Sequence, residues 1–279
     1  MKSEDYSYTL YEKALMPHDW PRMLSDAAEL GFNGFEVSVD ESDYRLERLD
    51  WSESKCLEVV RLSHDAGIRL QSLCFSGQRR FPMGSSDPKI VIKSMTMMRK
   101  CIDLCFNLGI RVLQVAGFDV FYEENTAETY KRYCDNLVVA TKYAESAGVM
   151  LAIEPVEKGV LSVSMALDII NRINSPFLQI YPDIANMASL GIDFYPEIEK
   201  GVGHIAQIHI RDALPDFYYG VDIGTGIIDF VRTFRLFDRL DITCPLTLEM
   251  WNLDNPEYMN SVRYALNYLK EMSREARKY

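Results

Sequence analysis

Four polar residues close four otherwise apolar runs in the second half of the chain. The runs are Met150-Leu151-Ala152-Ile153-Glu154, Leu178-Gln179-Ile180-Tyr181-Pro182-Asp183, Ala206-Gln207-Ile208-His209 and Leu246-Thr247-Leu248-Glu249. Three carboxylates and an imidazole are a mixture of hard and borderline donors that suits one divalent ion, Mn2+, Mg2+, Co2+ or Zn2+. A single acid at the end of such a run is usually a helix cap or an ion-pair partner. Four polar ends on successive runs point to a shared site, and His209 gains its meaning from standing between Asp183 and Glu249.

For these four to meet, the runs must be neighbouring strands of one sheet. A repeated junction supports that arrangement: an amphipathic stretch ends at glycine and an apolar run follows at once. The copies are Glu29-Leu30-Gly31-Phe32, Asp65-Ala66-Gly67-Ile68, Asn107-Leu108-Gly109-Ile110 and Ser146-Ala147-Gly148-Val149, with glycines 36, 42 and 39 residues apart. That period holds one helix, one strand and their loops, and glycine suits a helix end because it tolerates positive φ. Strands are expected at 7–11, 34–39, 69–75, 111–116, 149–154, 177–183, 204–210 and 245–250. Helical periodicity is clearest over 94–107, 128–147 and 163–173.

Eight alternating units favour a (β/α)8 barrel, a TIM barrel, over an open doubly wound sheet, and no GxGxxG follows the first strand to support a dinucleotide fold. The 279 residues are read as one domain, since such a barrel takes roughly 250. Barrel enzymes place their chemistry at the C-terminal ends of the strands, where Glu154, Asp183, His209 and Glu249 fall. His204 begins its strand and belongs to the opposite end; His18 and His64 fall in helical stretches and are read as structural.

Thirty basic against forty-one acidic residues give a net charge of −11, which disfavours nucleic acid as a partner. The start, Met1-Lys2-Ser3-Glu4-Asp5-Tyr6, lacks the basic and apolar regions of a secretory signal, and no run is long enough to cross a membrane, so a cytoplasmic location is expected. The six cysteines form no CxxC pair and are read as reduced, mostly buried thiols. A small anionic substrate remains compatible with the global charge. Arg79 and Arg80, just past the third strand, and Arg211, two residues after His209, are candidate anion contacts. The amides of Gly224 and Gly226, in a Gly-Thr-Gly turn between strands seven and eight, are another.

The chain resembles the xylose isomerase-like barrels, and within them the bacterial L-ribulose-5-phosphate and L-xylulose-5-phosphate 3-epimerases. The similarity is carried by Tyr11-Glu12-Lys13-Ala14-Leu15, Glu36-Val37-Ser38-Val39-Asp40-Glu41, Arg48-Leu49-Asp50-Trp51-Ser52, Arg79-Arg80-Phe81-Pro82, Tyr181-Pro182-Asp183-Ile184 and Glu249-Met250-Trp251. It departs at Ser76-Gly77-Gln78, where the family carries Ser-Ala-His. The resemblance implies a divalent metal on Glu154, Asp183, His209 and Glu249, a sugar phosphate substrate, a homodimer, and Glu154 and Glu249 as the acid and base pair. Epimerisation at C3 of a ketose needs two such groups, because a proton leaves one face and another arrives on the opposite face. An aldose-ketose or hexulose-6-phosphate isomerase on the same site is the alternative. An abasic-site endonuclease is less compatible with four histidines and this charge, and a non-catalytic sugar-binding barrel has no need of two glutamates.

Overall fold

The computed structural model describes residues 6–278, and residues 1–5 of the acidic start lie outside the described residues. Eight strands form where they are expected: β1 (Tyr8–Tyr11), β2 (Gly34–Val39), β3 (Arg69–Phe75), β4 (Val112–Ala116), β5 (Met150–Glu154), β6 (Leu178–Ile180), β7 (Ile208–Ile210) and β8 (Leu246–Leu248). They pair in parallel in the order β6-β5-β4-β3-β2-β1-β8-β7. The two ends of that order meet through isolated parallel bridges, Ile180 with Ile205 and Asp183 with His209. The sheet therefore closes into a (β/α)8 barrel rather than staying open.

At this seam the strands are shorter than the sequence suggests. Pro182 has no N–H to give a ladder, so the seam rests on single bonds such as Ala206 N–H to the Ile180 carbonyl and His209 N–H to the Pro182 carbonyl, both 2.9 Å.

Helices α1 (Trp20–Leu30), α2 (Asp43–Leu46), α3 (Glu53–Asp65), α4 (Pro88–Asn107), α5 (Ala127–Ala147), α6 (Val163–Ile173), α7 (Ile184–Ser189), α8 (Phe194–Lys200), α9 (Phe230–Arg239) and α10 (Tyr258–Ala276) cover the sheet. Gly31 and Gly148 cap α1 and α5 in the left-handed region, at φ 87° and 66°, as the junction pattern requires. Helix α4 starts before its periodic stretch because Pro88 occupies its first turn and the Asp87 side chain accepts from Lys89 N–H at 2.8 Å. His18 lies ahead of α1 rather than in a helix, whereas His64 is in α3. Among the described residues no helix is long and apolar enough to cross a membrane.

Side chains alternate along each strand. Leu10, Val37, Leu73, Leu113, Ile153, Ile210 and Leu248 belong to the apolar core that the helices complete. The intervening set is polar and equally buried: Thr9, Glu36, Ser72, Gln114, Glu154, Gln207, His209 and Thr247. The lumen is thus a polar interior leading up to the strand ends, largely hydrogen-bonded but with Thr9 Oγ1 and Gln207 Oε1 left without partners. The cysteines are all free, four buried and two half-buried.

Candidate active site

Each of the four expected ligands reaches the site from a different part of the scaffold. Glu154 ends β5, His209 is the middle residue of β7, and Glu249 follows β8 directly. Asp183 lies just past β6, where its Oδ1 caps α7 by accepting from Ala185 and Asn186 N–H at 2.8 and 3.0 Å. The helix-cap role usual for a lone acid is therefore real here, and Oδ2 is left for the site. All four are buried, and one ligand atom from each lies within 4.8 Å of the others.

His209 Nδ1 stands 2.9 Å from Glu154 Oε1 and 3.6 Å from Glu249 Oε2. Its Nε2 meets Glu36 Oε1 at 2.7 Å. Arg211 lies along the other side, 2.6 Å from Asp183 Oδ2 through Nη2 and 2.8 Å from Glu249 Oε2 through Nε. Gln114 donates to Glu154 Oε2, which fixes that carboxylate from β4. Burial pushes Glu154 above its ordinary value even though the hydrogen bond and charge of His209 pull it down. Asp183 is also raised by burial, with Arg211 opposing and Glu249 adding to the rise. For His209 burial acts downward, but the charges of Glu249 and Glu36 outweigh it and hold the imidazole well above its ordinary range.

Three buried carboxylates crowded on one imidazole are costly unless positive charge joins them. Glu249 Oε2 is buried and accepts no hydrogen bond; its contact with Arg211 Nε is an ion pair outside hydrogen-bond geometry. Three carboxylates and one ring nitrogen suit a divalent cation. On donor set, crowding and the orphaned oxygen, these residues fit such an ion.

Above the cluster lies a narrow inner chamber of about 40 Å3, walled by Tyr11, Phe118, Val156 and Trp251. It shares Lys13, Arg79, Glu157, Tyr218 and Trp251 with an outer chamber of about 550 Å3. Lys13 is buried and held by Asp40 at 2.6 Å. Arg79 lies over the Phe121 ring at 5.4 Å. Ser76, 6% exposed, lines the inner chamber with an unpartnered hydroxyl. Tyr122 and Glu41 hydrogen-bond at 3.1 Å, joining the loop after β4 to the loop after β2 at the mouth.

The other expected anion contacts are placed differently. Arg80 turns outward: it is 47% exposed at the side chain, pairs with Asp43 at 2.6 Å, and lines a separate groove with Lys93 and Lys100. The Gly224 and Gly226 amides do bind an anion, but it is the protein's own Asp212, whose Oδ2 accepts from both at 2.9 Å. Arg211 is spent on Asp183, Glu249, Asn186 Oδ1 and the Tyr218 carbonyl. His204 bonds Gln179 at 3.0 Å, away from the cluster.

Glu36, Lys13 and Asp212 were not singled out from the sequence as acting in the site. Glu36 had one available signal, a charged residue inside an otherwise apolar strand, since Phe35, Val37 and Val39 flank it. The Asp212 carboxylate, 12 and 14 residues ahead of two glycines, carries no such signal.

Fold and cluster together define a (β/α)8 barrel with a carboxylate-histidine centre at the C-terminal end of its strands. The chain belongs to the xylose isomerase-like TIM barrel family, whose model matches residues 24–272. It is 37% identical over 272 residues to L-ribulose-5-phosphate 3-epimerase UlaE of Escherichia coli O157:H7, covering 97% of this chain and 96% of that protein. It is 38% identical over 260 residues to the protein of the same name from Salmonella heidelberg, covering 92% of each. Among solved structures, an L-ribulose 3-epimerase superposes with a TM-score of 0.80 at 19% identity, over 98% of this chain and 96% of that one. A D-psicose 3-epimerase does so with 0.80 at 12% identity, over 96% and 99%. At such identities these two speak for the fold.

Proposed function

We propose that this protein is a metal-dependent 3-epimerase of ketopentose 5-phosphates that interconverts L-ribulose 5-phosphate and L-xylulose 5-phosphate. The observation that carries the reading is the pair Glu154 and Glu249, brought to one imidazole nitrogen from β5 and β8 at the floor of a pocket with Lys13 and Arg79 at its mouth. The 37% identity to proteins named for that reaction supports it.

Glu154, Asp183, His209 and Glu249 would hold the ion, and a bound divalent ion supplies positive charge beside a ketose carbonyl, easing loss of the neighbouring proton. Glu154 and Glu249 rise from strands separated by β6 and β7, so they approach a bound sugar from different sides. One takes the C3 proton and the other returns a proton to the opposite face. Phe118, Val156 and Trp251 exclude water from the floor. Lys13, Arg79 and the free Ser76 hydroxyl are a suitable cradle for the phosphate end. Arg211 keeps Asp183 and Glu249 apart and in place.

The test is proton exchange. Metal-loaded protein with L-ribulose 5-phosphate in D2O should place deuterium at C3 and yield L-xylulose 5-phosphate, and Glu154→Gln should abolish both. Label at C1 with formation of an aldose would instead identify an aldose-ketose isomerase.

A further inference from the structure

Glu36 is fully buried in β2, one level below the ligand cluster. A carboxylate in such a place is costly unless every lone pair finds a donor, and here each neighbour is one. Ser72 donates to Oε2 at 2.6 Å and Tyr181 OH to the same oxygen at 2.6 Å. The Ser72 oxygen itself accepts from Gln207 Nε2 at 2.9 Å, so its only proton is free for Glu36. Tyr181 also touches Thr247 Oγ1 at 2.8 Å. A register shift between Phe35 and Glu36 in the β2–β3 pairing sets Ser72 directly opposite Glu36, the kind of local irregularity that re-aims a side chain.

Both protons on Oε2 come from hydroxyls, which leaves Oε1 as an acceptor for His209 Nε2 at 2.7 Å. An acceptor there requires a proton on Nε2, and a neutral imidazole protonated on Nε2 keeps its lone pair on Nδ1. Nδ1 is the nitrogen that faces Glu154 and Glu249.

We infer that Glu36 is a positioning residue that fixes the His209 tautomer and ring orientation, delivering the Nδ1 lone pair to a divalent cation. The inference rests on the metal reading given above. Glu36 touches neither cation nor substrate; it acts through His209, and Ser72, Tyr181 and Gln207 act through Glu36. Partners of this kind typically govern metal affinity about 10- to 100-fold.

Glu36→Gln separates this role from a purely structural one. The glutamine oxygen can still accept from Ser72 and Tyr181, which turns its NH2 toward His209 Nε2 and favours the wrong tautomer. Zinc affinity, measured by competition with a chromogenic chelator, should fall about 10- to 100-fold while the metal-free melting temperature stays near that of the unaltered protein. Equal affinity in a folded Glu36→Gln would overturn the inference and leave the metal reading intact. A second measurement needs no variant: in zinc-loaded protein the 15N shifts of His209 should report metal on Nδ1 and a proton on Nε2. Metal on Nε2 would overturn the inference even if Glu36→Gln fails to fold. No zinc uptake by the unaltered protein would remove both readings.

Discussion

Asp183 and His209 are paired as a parallel bridge at the seam where β6 meets β7 and the barrel closes. Two of the four candidate ligands are therefore fixed relative to one another by the last backbone contact that shuts the sheet, with His209 N–H bonded to the Pro182 carbonyl at 2.9 Å. The contact that closes the barrel is thus also the one that juxtaposes two residues of the site, and a sheet left open at this seam would separate Asp183 from His209.

Asp183→Asn keeps an oxygen to cap α7 but removes the charge that faces Arg211. Metal affinity is expected to fall by more than the roughly 10- to 100-fold usual for losing a ligand's supporting partner. Calorimetric titration of the variant checks this, and undiminished affinity would reduce Asp183 to a helix cap.

Stripping metal should lower the melting temperature. The clustered carboxylates are then left with Arg211 and His209 as their direct partners of opposite charge. A ligand at a hundred times its Kd adds about 2.7 kcal/mol to stability, which for a chain of this size is a shift of roughly 5 °C. Differential scanning calorimetry with EDTA and after adding back Mn2+ or Co2+ reads it directly; identical melting curves would argue against a resident ion.

Lys13 and Arg79 both line the inner and outer chambers, whereas Arg80 does not. Lys13→Met and Arg79→Met should each reduce kcat/KM for a ketopentose 5-phosphate about 10- to 100-fold, the value of one charge-assisted hydrogen bond. Turnover of the unphosphorylated ketose should change little, and Arg80→Met should behave as the unaltered protein. Equal losses on both substrates would place the two cations outside phosphate recognition.

The strand and helix order, the four polar strand ends that cluster and the glycine stops were legible because each rests on local pattern: apolar runs, their polar ends, and residues that tolerate positive φ. The polar lumen was not. Thr9, Ser72, Gln114 and Thr247 look like ordinary strand residues until closure turns them toward one another. The arginine pair illustrates the same limit, since Arg79 and Arg80 are adjacent in sequence yet separated by the turn of a short 3-10 segment that sends one inward and the other to Asp43. Glycine pairs are equally ambiguous: the Gly224 and Gly226 amides have the chemistry of a phosphate cradle, and whether a substrate or Asp212 fills it depends on a residue well ahead in the chain.

That latch makes its own prediction. A Cβ at Gly226 would fall 2.2 Å from both the Ala213 carbonyl and Asp212 Oδ1, so Gly226→Ala must push the turn off the carboxylate. Asp212 then loses donors while staying buried, at a cost of about 1–3 kcal/mol. The loop carrying Tyr218, whose carbonyl holds Arg211 at 2.6 Å, should loosen with it. Hydrogen exchange over residues 213–228 should accelerate in the variant, and unchanged protection there would mean that Asp212 does not anchor the loop.

Acid should act through a different pair. Burial raises Asp40, but the Lys13 ammonium at 2.6 Å and the hydroxyl and amide of Ser42 overcome it and bring the carboxyl down to about 2 from an ordinary 3.8. A carboxyl lowered in the fold binds its proton less readily there than in the unfolded chain. Its stabilising contribution is therefore complete above about pH 4 and is lost as the pH falls through 2. The stability difference between the unaltered protein and Lys13→Met should be flat from neutral pH down to about 4 and should shrink toward zero by pH 2. Urea unfolding followed by circular dichroism at intervals between pH 6 and 2 measures that difference. If it persists at pH 2, Lys13 stabilises the pocket mouth by the burial of its stem rather than by its charge on Asp40.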